Sequence, residues 1–106
     1  MGEPQQQQVR RSQLHDRLVT FCDNVYFQPP VNVALEYPCI VYNRDFAEIK
    51  FADNAPYDIV FRYLVTVIDR NPESDIPAKV AAMPMTTFNR FFTTDDLNHD
   101  VYQVFI

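Results

Sequence analysis

Glycine is almost missing from this chain of 106 residues; the only one is Gly2. Phosphate cradles of the P-loop or dinucleotide type need glycines where a strand turns into a helix, so those nucleotide-binding enzymes are excluded. Turns fall instead to Asn, Asp, Ser and the eight prolines. Only two cysteines occur, Cys22 and Cys39, in apolar surroundings and without CxxC spacing, which predicts free buried thiols rather than a disulfide framework. No apolar run reaches about 18 residues, so a membrane span is not expected. The polar start Met1-Gly2-Glu3-Pro4-Gln5 lacks a signal peptide's apolar core, and the expectation is a soluble cytoplasmic product. Basic residues are few, nine against fourteen acidic ones, for a net charge of −5. That balance argues against gripping nucleic acid by phosphate neutralisation, though not against standing beside DNA.

What is present suits one small globular domain: 47% of residues are hydrophobic and 22% charged. A core of this size is marginal, so partner subunits can supply part of the stability. Nine Phe and six Tyr exceed what a two-layer core needs, and some are expected at interfaces.

The strongest pattern is the run Tyr57–Asp69, rich in β-branched and aromatic residues and free of Gly and Pro. It predicts one long strand with Tyr57, Ile59, Phe61, Tyr63, Val65 and Val67 on an apolar face and a mixed face opposite. Before it, residues 1–8 read as a flexible Gln-rich tail or frayed helix start, and residues 9–106 as a single α+β domain. Leu14, Leu18, Phe21, Cys22 and Val25 form a helical stripe that ends near Asp23-Asn24. Val25–Pro30 leaves that helix extended, and Tyr37–Tyr42 is a strand. Residues 43–56 either extend the two strands into a protruding hairpin that turns at Asp53-Asn54-Ala55-Pro56, or form a loop that orders on a partner. A capped helix follows over about Ile76–Met83, with Ser74 or Asp75 as cap. Strands are predicted at Met85–Phe92 and Val101–Ile106, with a turn region between. The resulting fold is a mostly antiparallel four-stranded sheet with helices on one face, in the order α-β-β-α-β-β and with a long protruding β-hairpin.

Residues that could carry chemistry read more simply as structure. His15-Asp16 and His99 have no nucleophile at a motif spacing and suit surface or capping roles. Asp95, Asp96, Asn98 and Asp100 lack the glycine and terminal Glu of a calcium loop and suit a hairpin turn. Asp69-Arg70 suits a solvated strand end. Phe88, Phe91, Phe92, Tyr102 and Phe105 suit core and subunit contacts better than base stacking, since only Arg90 lies near them. No catalytic residue, metal site or cofactor is expected.

The segments Val25–Pro30, Tyr37–Tyr42, Phe51–Asn54, Tyr63–Asp69 and Leu97–Tyr102 together resemble small neck and tail proteins of long-tailed bacteriophages, most closely tail terminator (tail completion) proteins. The likeness runs from Leu14 to Ile106. It implies a structural virion protein, not an enzyme, that forms a homo-oligomeric ring of six copies, ends the tail tube and joins the tail to the head connector or head-closure protein. Assembly would take place in the bacterial host cytoplasm, and DNA would pass through the lumen without specific binding. The alternative is a head–tail adaptor or head-closure neck protein; a small enzyme or nucleic-acid-binding module is more remote. Asp45, Phe46, Glu48, Ile49, Phe51, Tyr57, Ile59 and Phe61 are the expected subunit or tube interface. Asp45, Glu48, Asp95 and Asp96 are the acidic candidates for the lumen, where negative walls would keep DNA from sticking.

Overall fold

The computed structural model describes the backbone of residues 3–52 and 55–106 and the side chains of residues 10–50 and 59–106. The elements are α1 (Glu3–Val19), β1 (Val25–Phe27), β2 (Cys39–Ala52), β3 (Ala55–Asp69), α2 (Ile76–Ala81), β4 (Thr86–Thr94) and β5 (Leu97–Phe105). The backbone is helical from Glu3, earlier than the Val9 start the apolar stripe suggests. The expected turn at Asp53-Asn54 lies outside the described residues.

The long strand β3 is the spine, and its alternation decides the layers. Phe61, Tyr63, Val65 and Val67 are buried on one face. Leu14, Leu18 and Cys22 reach them from α1 and the turn after it, and Ile76, Val80 and Met83 from α2 and its C-terminal turn. Ile40, Tyr42, Tyr102 and Val104 complete this core from β2 and β5. Both helices thus cover one side of the sheet, as each needs to bury its apolar stripe. A smaller cluster of Cys39, Ile68 and Leu97 lies apart from it, against Leu35, Tyr37, Tyr26 and Val41.

The sheet departs from the predicted four antiparallel strands. It has five, in the order β1-β2-β3-β5-β4, and β1 pairs with β2 in parallel. The extended segment after α1 joins the sheet by pairing with Ile40–Tyr42 and ends where Gln28, at φ 45°, turns the chain out of β1 and Pro29-Pro30 cannot continue the ladder. Parallel neighbours need a crossover of about a dozen residues, and the segment up to Pro38 supplies it. The Gln28 amide donates to the Tyr42 carbonyl at 2.9 Å, and the Ile40 amide donates to the Asn24 carbonyl at 2.8 Å, fixing the register.

The last hairpin is tighter than the predicted turn region. Strands β4 and β5 run up to Thr94 and Leu97, leaving two central residues, Asp95 and Asp96, at φ 54° and 61°. Such a turn matches the twist of a hairpin and usually takes Asn-Gly. In a chain nearly without glycine, aspartate takes the left-handed positions at some cost. At α2 the N-cap position is Asp75, and it is Ser74 just before it whose Oγ accepts the Ile76 amide at 3.3 Å. Asp75 makes no side-chain cap bond and pairs with Lys79 at 3.3 Å.

Both cysteines are free and buried. Burial pushes the Cys22 thiol up and the Cys39 thiol up to about 12, so neither is a thiolate near neutral pH. A water-soluble thiol reagent at pH 8 should label neither cysteine until denaturant is added; prompt labelling of the native protein would contradict the packing. Replacing Asp95-Asp96 by Asn-Gly should raise unfolding stability by up to about 1 kcal/mol in denaturant titrations, because the left-handed positions then carry less strain.

Candidate assembly surface

Beyond the core, β2 and β3 continue as a two-stranded arm. Its strands pair through Phe46↔Arg62, Ala47↔Phe61, Glu48↔Val60, Ile49↔Ile59 and on to Ala52↔Ala55. Neither neighbour follows them: β1 stops opposite Tyr42, and the β5 side ends where Phe61 and Ile106 exchange amide-to-carbonyl bonds of 3.1 and 2.9 Å. The arm makes the molecule long, 51 × 25 × 23 Å, with a radius of gyration of 15.1 Å, against about 13 Å for a compact chain of this length.

A free two-stranded ribbon is marginal in water, and side chains brace this one at its root. A register shift between Arg44 and Phe46 sets Asp45 as the extra residue of a bulge. Asp45 accepts two bonds from Arg62, Nε to Oδ1 and Nη2 to Oδ2, both at 3.1 Å. The Arg62 guanidinium also lies 4.7 Å from the Phe46 ring centroid. On the helical side, Arg10 of α1 donates to the Ile59 carbonyl, and Arg10 and Arg44 both stand over the Phe61 ring, at 5.9 and 5.2 Å. Arg11 lies over Phe27 at 4.6 Å. Four of the nine basic residues thus seat the first helix and the arm on aromatic rings.

The expected interface residues divide accordingly. Phe46 and Ile49 are 48% and 47% exposed, and Glu48 is exposed. Phe61 is buried, and Ile59 packs against the core, so these two hold the arm rather than its surface. Asp45 is committed to Arg62. The side chains of Phe51 and Tyr57 lie outside those described. The four acidic lumen candidates do not gather: Asp45 and Glu48 are on the arm, whereas Asp95 and Asp96 turn the β4–β5 hairpin at the opposite end of the sheet.

A second surface is the edge strand β4. Phe88 is 58%, Phe91 51% and, just before the strand, Met85 69% exposed. Of the aromatic set, only Tyr102 is buried, with Phe88 edge-on to it at 5.5 Å. Phe92 stacks on His99 at 4.5 Å. Phe91 and Phe92 are adjacent in sequence and therefore point to opposite faces, a signal that one helical layer cannot cover both. Near the start of β4, Leu14 and Arg17 of α1 and Met83–Met85 line an apolar cleft of about 240 Å³ that ends at Ile106.

Both histidines have partners within the fold. His15 is half-buried rather than on the surface, its Nδ1 2.7 Å from the Tyr42 hydroxyl. His99 Nδ1 lies 3.1 Å from the Leu97 carbonyl, which can only accept, so that nitrogen carries the proton. Among the described residues no three His, Cys, Asp or Glu side chains converge on a possible metal position, and no helix is long and apolar enough to cross a membrane.

Asp100 faces Val67 on one side and Phe91 on the other in the strand register. Burial raises its pKa, opposed by the nearby His99. The folded chain therefore holds the proton more tightly than the unfolded one, and this group's contribution to stability is fully present at low pH and lost as pH rises through the folded pKa. Asp100→Asn should be more stable than the parent at pH 7, and the difference should close as pH falls below the ordinary carboxylate range. Denaturant titrations at pH 7 and pH 3 test this; a gap that persists at pH 3 would assign the effect to something other than charge burial.

Compared with protein families, with characterised proteins and with solved structures, the chain matches none.

Proposed function

We propose that this protein is a structural component of a phage tail or neck, a ring-forming tail terminator that closes the tail tube and joins it to the head. The observation that supports this reading most is the arm: a braced ribbon reaching past the core with Phe46 and Ile49 exposed near its root and middle. An exposed apolar projection is unfavourable on a free protomer and is accounted for by a partner that covers it. Contacts between two different patches of one chain are heterologous, and where the rotation closes they produce a ring. Six copies are the number the family resemblance suggests. Glu48 on the arm, or Asp95 and Asp96 at the far end, would supply an acidic wall past which DNA slides. The tail tube protein and the head connector or head-closure protein would be its partners in the virion.

Purified protein should have a mass that is a multiple of the 12.5 kDa chain. Phe46→Ser/Ile49→Ser should leave a folded protomer that no longer assembles, since both side chains are about half exposed and contribute little to the core. Electron microscopy of particles made without the protein separates the neck roles. Overlong or unattached tails are expected for a terminator, and full heads that leak would instead favour head closure.

A further inference from the structure

We infer that the acceptor for the arm is the outer edge of β4 on a second copy of this chain, so that each protomer carries one donor ribbon and one receiving strand. The inference rests on the ring-forming reading above and adds the surface that completes it. Among the described residues β4 is bonded only to β5, and its other edge has no strand partner. Natural proteins blunt such edges with proline, inward charge or a very short strand. Here the edge is nine residues, TTFNRFFTT, with no proline and one charge, and its one irregularity is a bulge between Phe88 and Arg90.

The arm fits it in length and in chemistry. Its β2 strand beyond Arg44 spans Asp45–Ala52, roughly 25 Å at the usual rise, and β4 spans a similar length. Backbone pairing along that length is the common mode by which an extended segment adds to a sheet. Phe88 and Phe91, standing beside that edge, give exposed Ile49 or Phe46 an apolar surface. The charges also match. Asp45 is held by Arg62, whereas the exposed Glu48 makes no ion pair among the described residues. Arg90 is the only ionisable residue of β4, and its guanidinium lies 5.1 Å from the Phe92 ring rather than against a carboxylate. The arm continues β2 and β3 along the strand direction past the end of β5, and β4 lies on the far side of β5 at the sheet edge. One protomer therefore cannot satisfy its own arm, and the contact is heterologous.

Mass measurement of the full chain and its variants tests this. Phe88→Ser/Phe91→Ser should abolish assembly, with far-UV circular dichroism unchanged because both rings are more than half exposed. Arg90→Glu, which removes no apolar surface, should weaken assembly about tenfold, as should Glu48→Arg, and the double charge reversal should recover most of the loss. An equimolar mixture of the arm variant (Phe46→Ser/Ile49→Ser) and the β4 variant should give a one-to-one dimer of twice the 12.5 kDa chain, because one competent donor meets one competent acceptor and neither can propagate. Wild-type assembly by the folded Phe88/Phe91 variant would overturn the β4 assignment alone and leave the ring reading standing. So would a variant that keeps its ring but no longer engages tails, which would give this face to a different partner. A wild type that stays monomeric at all concentrations would instead overturn the ring reading on which the inference rests.

Discussion

Everything in this protein depends on how many neighbours its long strand has along its length. From about Arg62 to Asp69, β3 is paired on both sides, by β2 and β5. From Ala55 to Val60 it has β2 alone among the described residues. Interstrand bonds on both sides and helices overhead make the first part a core. The second part can hold only what a ribbon and its root contacts allow. One strand is thus divided into an anchored half and a projecting half within a chain of 106 residues.

The root contacts explain an otherwise odd use of arginine. The chain is acidic, yet Arg10, Arg44 and Arg62 converge where the arm leaves the core. Guanidinium groups suit that place because they are planar, stay charged, and can lie on a ring while donating along their edge. Arg62 does both, holding Asp45 in two bonds and covering Phe46. An aliphatic brace would add exposed apolar surface to an arm that already has some. Cation and carboxylate brace it without doing so.

The near-absence of glycine leaves marks throughout. Positive φ falls on Gln28, Met85, Asp95 and Asp96, each at a place where the chain must change direction. Gln28 turns β1 away from the sheet so that β2 can return in parallel. Met85 precedes the exposed edge strand, and its carbonyl accepts the Phe105 amide at 3.0 Å. The fold thus accepts local strain where sheet pairing on either side over-determines the geometry.

Much of this was legible in the residues themselves. Alternation from Tyr57 to Asp69 determined the long strand and the face that takes the helices, because side chains on a strand repeat every two residues whatever the surrounding fold. The stripe of Leu14, Leu18 and Cys22 determined the first helix, and proline with the cap candidates Ser74 and Asp75 located the second. The apolar context of Cys22 and Cys39 foretold two buried free thiols. Tertiary structure alone decided the rest. The three residues of β1 are too few to carry a period, and only their bonds to β2 make them a strand. Whether residues 43–52 form a ribbon or a loop depends on pairing with residues 55–64, a long-range contact that no local propensity specifies. The interface candidates were chosen for their alternation, which cannot tell Phe61, pressed beneath two arginines, from Phe46, left half in solvent. The exposure of Phe88 and Phe91 came from a fact of layers: two short helical stripes cover three central strands of a five-stranded sheet, and the edge strand remains outside them.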